Sequence, residues 1–377
     1  MTASTPLRLT ALNEALAMLL ALVPAPVPAR RVPAAVAVGH ALAEALTTTA
    51  PLPAGPIAAR DGWAVASADT TGAGSYGPLP LPGAPAWVES GDALPAGADA
   101  VLSPFEVDAA GPLATALAPA APGDGVHAPG ADALADSVLR AAGDRLRVVD
   151  LLALQAIGAP SVAVRVPHVV LLPVGDELHA APAAALPAAL AALIAAEGAE
   201  AEIRRPVGDD QGAIAAALAA AAADADLVLA LGGTGEGRRD RTVAGLAAAG
   251  RLLLHGIGAR PGMTAAIGEA GGRPVVLLPG RPEDALAAWW LLARPALRRL
   301  AGGVDPPPRS ARLARKVASA VGLTELVPLR CLEAGLAEPL AVGGLPLAAL
   351  AAADALLVVA PGTEGYGEGA TVEAIGL

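Results

Sequence analysis

The hydrophobic pattern changes character several times along the chain. Residues 9–22 carry apolar side chains at helical spacing, which predicts an amphipathic helix. Prolines at 24, 26 and 28 follow it, and Arg30-Arg31 lead a short predicted strand. A second helix is predicted over 38–47. Between 51 and 145 proline and glycine become dense, and short apolar runs alternate with turns. That texture predicts a β-rich region of short strands. A helical pattern resumes over 148–158.

From about 167 to 300 strands and helices alternate. Strands are predicted at 168–172, 227–231 and 275–278, and alanine-rich helices at 183–198, 211–223, 240–249 and 283–300. Short apolar strands alternating with helices predict a parallel sheet covered on both faces. Pro306-Pro307-Pro308 marks a linker, and the apolar runs 325–330 and 356–359 beyond it predict a small barrel or sandwich. No internal repeat is evident.

Composition narrows the class. A chain of 377 residues holds two to four domains at roughly 100–200 residues each. It is 54% hydrophobic but only 2% aromatic, so its cores are expected to be alanine-rich and helix-rich. Lys316 is the sole lysine, and the net charge is −11. With no basic stripe and almost no aromatic platforms, nucleic-acid binding is not expected. One cysteine, Cys331, excludes an intramolecular disulfide and suits a reducing compartment. The histidines His40, His127, His168, His179 and His255 show no ligand spacing. Residues 1–22 lack a signal peptide's layout, and the alanine-rich stretches are too weakly hydrophobic to span a bilayer. A soluble cytoplasmic protein without a membrane partner is expected.

The candidate chemistry lies at three predicted strand ends. After the apolar run 227–231 comes Gly232-Gly233-Thr234-Gly235-Glu236-Gly237-Arg238-Arg239-Asp240. Glycines allow a tight turn with bare N–H groups, and a following helix points its positive end at the same spot, which together make a phosphate cradle. A phosphate beside Asp240 calls for a cation between them. The first strand ends in Pro173-Val174-Gly175-Asp176-Glu177, and the third in Pro279-Gly280-Arg281-Pro282-Glu283-Asp284. Ligands of doubly wound sheets bind outside the carboxyl ends of strands. Glu177 and Asp240 are therefore the candidate metal carboxylates, for a Mg²⁺ that bridges them to a ligand phosphate. Helix capping is the alternative role for Asp176, Asp240, Glu283 and Asp284.

These residues, with others outside the α/β segment, resemble the MoeA family of molybdopterin molybdenumtransferases. Asp61-Gly62-Trp63-Ala64-Val65 is similar to its Asp-Gly-Tyr-Ala-Val, and residues 91–101 to its Gly-x-x-Leu-Pro-x-Gly-Ala-Asp-Ala-Val turn. Gly130-Ala131-Asp132, Val174 through Leu178, Arg260-Pro261-Gly262 and Leu278-Pro279-Gly280 follow in the family's order, as does the tail 351–362. The resemblance implies a multidomain α/β protein: an elongated dimerising domain (1–28 and 46–138), a small β-rich domain (29–45 and 139–166), a three-layer molybdopterin-binding α/β/α domain (167–303) and a C-terminal β-barrel-like domain (304–377). It implies a homodimer, and an activity in which adenylylated molybdopterin is hydrolysed with Mg²⁺ while molybdate is inserted. By carry-over Glu177 and Asp240 face the metal, Asp61 and Asp132 join them as acidic residues, Asp209 or Asp210 matches a further acidic position, and Arg260 with Arg281 takes the oxyanion. The cofactor loops are Gly232, Gly233, Thr234, Gly235 and Gly237, then Gly175 and Asp176, then Pro279, Gly280 and Arg281.

The departures concentrate at the oxyanion end. The family's Lys-Pro-Gly-Lys reads Arg260-Pro261-Gly262-Met263, and its Pro-Gly-Asn-Pro-Val-Ser ends here in Glu283-Asp284. Each close like-charge pair costs roughly 1 kcal/mol in water, which bidentate arginines offset. The loop 232–242 is closer to that of the related adenylylating proteins, and the Gly-x-Ile-x-Asp-Ser-Asn segment expected after Glu177 is missing. Three readings follow: a molybdenumtransferase-like enzyme, a non-catalytic molybdopterin carrier or scaffold, and another phosphate-ligand enzyme on the same frame.

Overall fold

A strand whose residues are all buried has to lie inside a sheet covered on both faces, and Leu227–Leu231 is such a strand. In the computed structural model, which describes residues 7–176 and 185–377, this strand is the centre of a six-stranded sheet. Its elements are β1 (His168–Pro173), α1 (Ala185–Ala196), β2 (Glu200–Ile203), α2 (Gln211–Asp224), β3 (Leu227–Leu231), α3 (Thr242–Ala249), β4 (Gly250–His255), β5 (Ala266–Ala270), β6 (Arg273–Leu278), α4 (Pro282–Ala288) and α5 (Arg294–Ala301). A π-helical turn, Trp289–Ala293, joins α4 to α5. The order across the sheet is β2-β1-β3-β6-β5-β4. The first four strands are parallel, whereas β5 and β4 are antiparallel additions at one edge. The sheet is thus mixed and not the all-parallel sheet read from the pattern.

Side chains alternate between the two faces, as the pleat requires. Val169, Leu171, Leu227, Leu229, Leu231, Val276 and Leu278 share one core with Leu190 and Ile194 of α1, the buried residues of α4 and α5, and Ala15 and Leu19 of the helix Leu12–Ala21. Val170, Leu172, Val228, Ala230, Val275 and Leu277 face the other way, onto Ile214 and Leu218 of α2 and Leu246 of α3. Three layers result.

By contacts the chain divides into two units, one of Met1–Glu44, Ala142–Arg147 and Ser161–Leu377, the other of Ala45–Ala141 and Val148–Pro160. The first unit also holds an antiparallel sheet of Arg30–Pro33, Ser161–Arg165 and Ala41–Leu42. The helix expected over 38–47 does not form. A single turn, Ala34–Ala37, ends before Gly39 at φ +88°, and Ala41 and Leu42 pair with Arg165 and Val164. Strand pairing overrides alanine's helix propensity here. The C-terminal strands Arg309–Leu313, Thr324–Cys331, Leu336–Pro339, Ala355–Val359 and Thr371–Gly376 close into a barrel, because Thr324–Cys331 pairs with both Leu336–Pro339 and Ala355–Val359. Leu313, Val327, Leu329, Leu357 and Val359 fill it.

The second unit is built from small sheets, among them Ala86–Val88, Gly62–Val65 and Ala100–Leu102, with the helix Asp150–Ala156. Trp63 and Trp87 stack edge to face across two of those strands, with centroids 5.2 Å apart. Among the described residues no helix is long and apolar enough to cross a membrane.

Candidate functional site

The parallel register sets Pro173 beside Leu231 and Leu231 beside Leu278. The loops after β1, β3 and β6 therefore leave the sheet side by side. The strand ladder continues into them: the Val174 N–H donates to the Leu231 carbonyl (2.8 Å) and the Gly232 N–H to that of Leu278 (2.9 Å).

Local chemistry shapes the loop after β3. Gly233 has φ +65°, and a Cβ there would lie 2.4 Å from Thr242 Oγ1. Thr242, at the start of α3 and fully buried, donates Oγ1–H to the Gly232 carbonyl (2.7 Å) and its N–H to that of Gly233 (3.1 Å). Asp240 is half-buried, and its Oδ2 accepts the Gly237 N–H at 2.7 Å. The expectation of bare amides therefore needs correcting: the Gly232 and Gly237 N–H groups are already engaged, one by the sheet and one by Asp240. The Oδ1 of Asp240 accepts no hydrogen bond among the described residues. His255 holds the turn from behind, with Nε2 2.9 Å from the Thr234 carbonyl. A carbonyl only accepts, so Nε2 carries the proton.

Next to this loop, Gly175 donates its N–H to Val207 (2.9 Å), and Asp176 is exposed. Glu177 lies outside the described residues. On the other side Pro279 is buried, Gly280 and Arg281 are exposed, and Arg281 pairs with Glu283 at 2.9 Å. Asp284 is not a bare charge, because its Oδ1 accepts the Gly262 N–H at 2.7 Å and so ties the Arg260-Pro261-Gly262 turn to α4. Arg260 directs Nε and Nη2 to a single oxygen of Glu325, at 3.0 and 2.6 Å. Glu325 is wholly buried and belongs to the barrel strand Thr324–Cys331.

The loops after β3 and β6 border a cavity of about 890 Å³, whereas Gly175 and Asp176 of the loop after β1 are not among its lining residues. Gly233, Thr234, Gly235 and Asp240 supply one wall, and Pro279, Gly280 and Arg281 another. Leu186 of α1, Leu286 of α4 and Leu347 of the C-terminal helix Leu347–Ala352 make an apolar side. Arg260 is not among the lining residues. Asp61 and Asp132 belong to the second unit, where both are exposed and Asp61 accepts the Ser90 N–H at 2.8 Å. Asp210 caps α2 by accepting the Ala213 N–H at 2.8 Å.

Three family regions match most of the chain. Residues 10–158 match the MoeA N-terminal region (domain I and II), 171–299 a probable molybdopterin binding domain, and 310–377 the MoeA C-terminal region (domain IV). Over 308 residues the chain is 30% identical to molybdopterin molybdenumtransferase 2 of Mycobacterium tuberculosis, covering 72% of this chain and 75% of that one. The chain belongs to the MoeA family. Molybdopterin molybdenumtransferase 1 of the same organism is 28% identical over 401 residues, 91% of this MoeA-family chain and 93% of its own. The molybdopterin biosynthesis MoeA protein from Pyrococcus horikoshii superposes with a TM-score of 0.76 at 26% identity, over 97% and 99% of the two chains.

Within this MoeA-family protein several lining residues escape a reading of motifs. Thr264 lines the cavity beside Thr234, their hydroxyls hydrogen-bonded at 3.2 Å. It stands two residues beyond Gly262, so following the Arg-Pro-Gly turn further would have reached it. Leu186, Leu286 and Leu347 carry no chemical signal, since a leucine on a cavity wall and one in a core read alike. Glu325 was legible only as part of an apolar β run.

Proposed function

We propose that this protein is a molybdopterin molybdenumtransferase-like enzyme of molybdenum cofactor biosynthesis, which binds adenylylated molybdopterin in the cavity at the ends of β3 and β6 and inserts molybdate as its pyrophosphate link is hydrolysed. One observation carries the reading. Two adjacent strand ends, those of β3 and β6, deliver glycine loops and the half-buried Asp240 to one cavity of about 890 Å³, where Thr234 and Thr264, the latter from the turn before β5, add two hydroxyls. That volume is in the upper range of small-ligand sites, roughly 300–1,000 Å³, and suits a nucleotide-sized ligand.

The residues present fit a divalent cation. Mg²⁺ usually takes one or two carboxylates, waters and substrate phosphate oxygens, and Asp240 keeps Oδ1 open while Gly237 fixes Oδ2. Asp240, with Glu177, would hold it. When bound, such an ion withdraws charge from the phosphate oxygens and so eases cleavage of the link. The chain's own groups do the remainder. The Thr234 and Thr264 hydroxyls orient the ligand, the apolar side of Leu186, Leu286 and Leu347 excludes water from its flat part, and Arg281 meets the oxyanion. Its pair with Glu283 is exposed, and such pairs contribute little, so Arg281 can exchange partners. The same proposal gives Asp61 and Asp132 a supporting acidic role and makes the working form a homodimer.

A carrier reading is favoured by one specific contact: buried Glu325 already engages Arg260, the residue matched to the family's first lysine. Turnover of adenylylated molybdopterin with and without molybdate separates the two. Molybdate-stimulated release of AMP supports the enzyme, while tight pterin binding without product supports the carrier.

A further inference from the structure

A second cavity, of about 340 Å³, lies in the first unit between α5, the triple proline 306–308 and the end of the last barrel strand at Ile375 and Gly376. Its charged wall is Arg294 and Arg298, with side chains 13% and 18% exposed. Trp290 and Asp305 complete it. None of these residues lines the cavity at the ends of β3 and β6.

Both arginines lean on one carboxylate. Glu197, 9% exposed, accepts from Arg294 Nε (2.7 Å), from Arg298 Nε and Nη2 (2.8 and 3.1 Å) and from Arg145 Nη2 (2.5 Å). Its single negative charge is divided among three guanidinium groups. Arg298 adds Asp305 at 2.9 Å, but that carboxylate is 78% exposed and screened by solvent. Arg294 uses Nη1 on the Gly376 carbonyl (3.0 Å), and its Nη2 has no hydrogen-bond partner among the described residues. The prolines opposite have no N–H, so that wall cannot satisfy an anion and the guanidinium groups must. Burial comes first among the causes that depress Arg145 below its ordinary value, and the nearby Arg298 and Arg294 add to it against the pull of Glu197. The cluster carries positive charge that Glu197 does not fully neutralise.

We infer that this cavity is an anion site for a small tetrahedral oxyanion, held by the open edge of Arg294 with the charge of Arg298 behind it. The Nη2 of Arg294 offers two charged N–H donors in the guanidinium plane, and the space of about 340 Å³ holds an anion with its hydration. Asp305 at the rim acts against binding and limits affinity.

The test is calorimetric titration of the full chain with inorganic phosphate, with sulfate in parallel and tryptophan fluorescence as a second readout through Trp290. Saturable binding is expected, lost in Arg294→Gln and weakened in Arg294→Lys. Because Arg294 also braces buried Glu197, each variant is checked by thermal unfolding. Asp305→Asn keeps the fold and is expected to tighten phosphate binding about two- to fivefold, the range of an exposed ion pair. The Arg294 and Asp305 variants are compared in an Arg281→Gln background, which removes the oxyanion contact proposed for the other cavity and should itself retain saturable phosphate binding. Loss of binding in Arg281→Gln overturns the proposal, as does an Asp305→Asn variant that binds no more tightly than the parent, or a parent chain that binds neither anion saturably.

Discussion

Single residues set the shape of the main cavity, and the clearest case is Gly233. Its φ of +65° and the 2.4 Å that would separate a Cβ from Thr242 Oγ1 both disfavour a side chain. Gly233→Ala is expected to lower stability by about 1–3 kcal/mol, read by urea unfolding, and to weaken pterin-nucleotide binding because the turn must move. Thr242→Ala leaves the buried Gly232 carbonyl without its hydroxyl donor. It should cost about 1–2 kcal/mol in the same measurement. The residue types here were legible: glycines and one aspartate at a strand end announce a ligand loop. What Asp240 does with its two oxygens was not, because the Gly237 contact depends on backbone angles that no spacing encodes. The same holds for Asp284, which reads as a misplaced charge at a serine position and turns out to brace Gly262.

Between elements, Glu197 joins the end of α1 to Arg145 and to Arg294 and Arg298 on α5. Removing one partner of a buried ionic group strands the others, so Glu197→Ala should destabilise by roughly 3 kcal/mol or more. Burial, the largest single influence, pushes its carboxyl up, but Arg298, Arg145 and Arg294 together outweigh it and hold the group below its ordinary value of 4.5. A depressed carboxylate contributes stability that is complete above the unfolded value and fades as pH falls through the folded one. Melting temperature should therefore fall below about pH 4.5 more steeply in the parent chain than in Glu197→Gln. Element prediction worked where the apolar period was long, as for β3 and α2. It failed at β5, where Gly271-Gly272 stands between Ala270 and its pairing partner Arg273. Two glycines with positive φ form a hairpin turn, and that signal in the sequence marks the antiparallel edge which the strand–helix alternation concealed.

At the scale of the molecule, MoeA-family regions match 10–158, 171–299 and 310–377, so the architecture was legible from ordered motifs spread over the chain. The apolar pattern beyond residue 308 left barrel and sandwich open and the family resemblance implied the barrel, whose closure rests on one strand, Thr324–Cys331, pairing on both sides. The proposed homodimer predicts a light-scattering mass twice the 36.7 kDa of the chain, and a monomer at working concentrations would remove it from the account. The central claim is that the strand-end cavity binds a pterin nucleotide through Asp240 and a divalent cation. Titration of adenylylated molybdopterin into the protein, with Mg²⁺ and with chelator, for the parent chain and Asp240→Asn, tests it most directly. The account predicts tight binding that needs Mg²⁺ in the parent and weakens at least about tenfold in Asp240→Asn, a difference near 1.4 kcal/mol. Equal affinity in both proteins, with and without Mg²⁺, would contradict it.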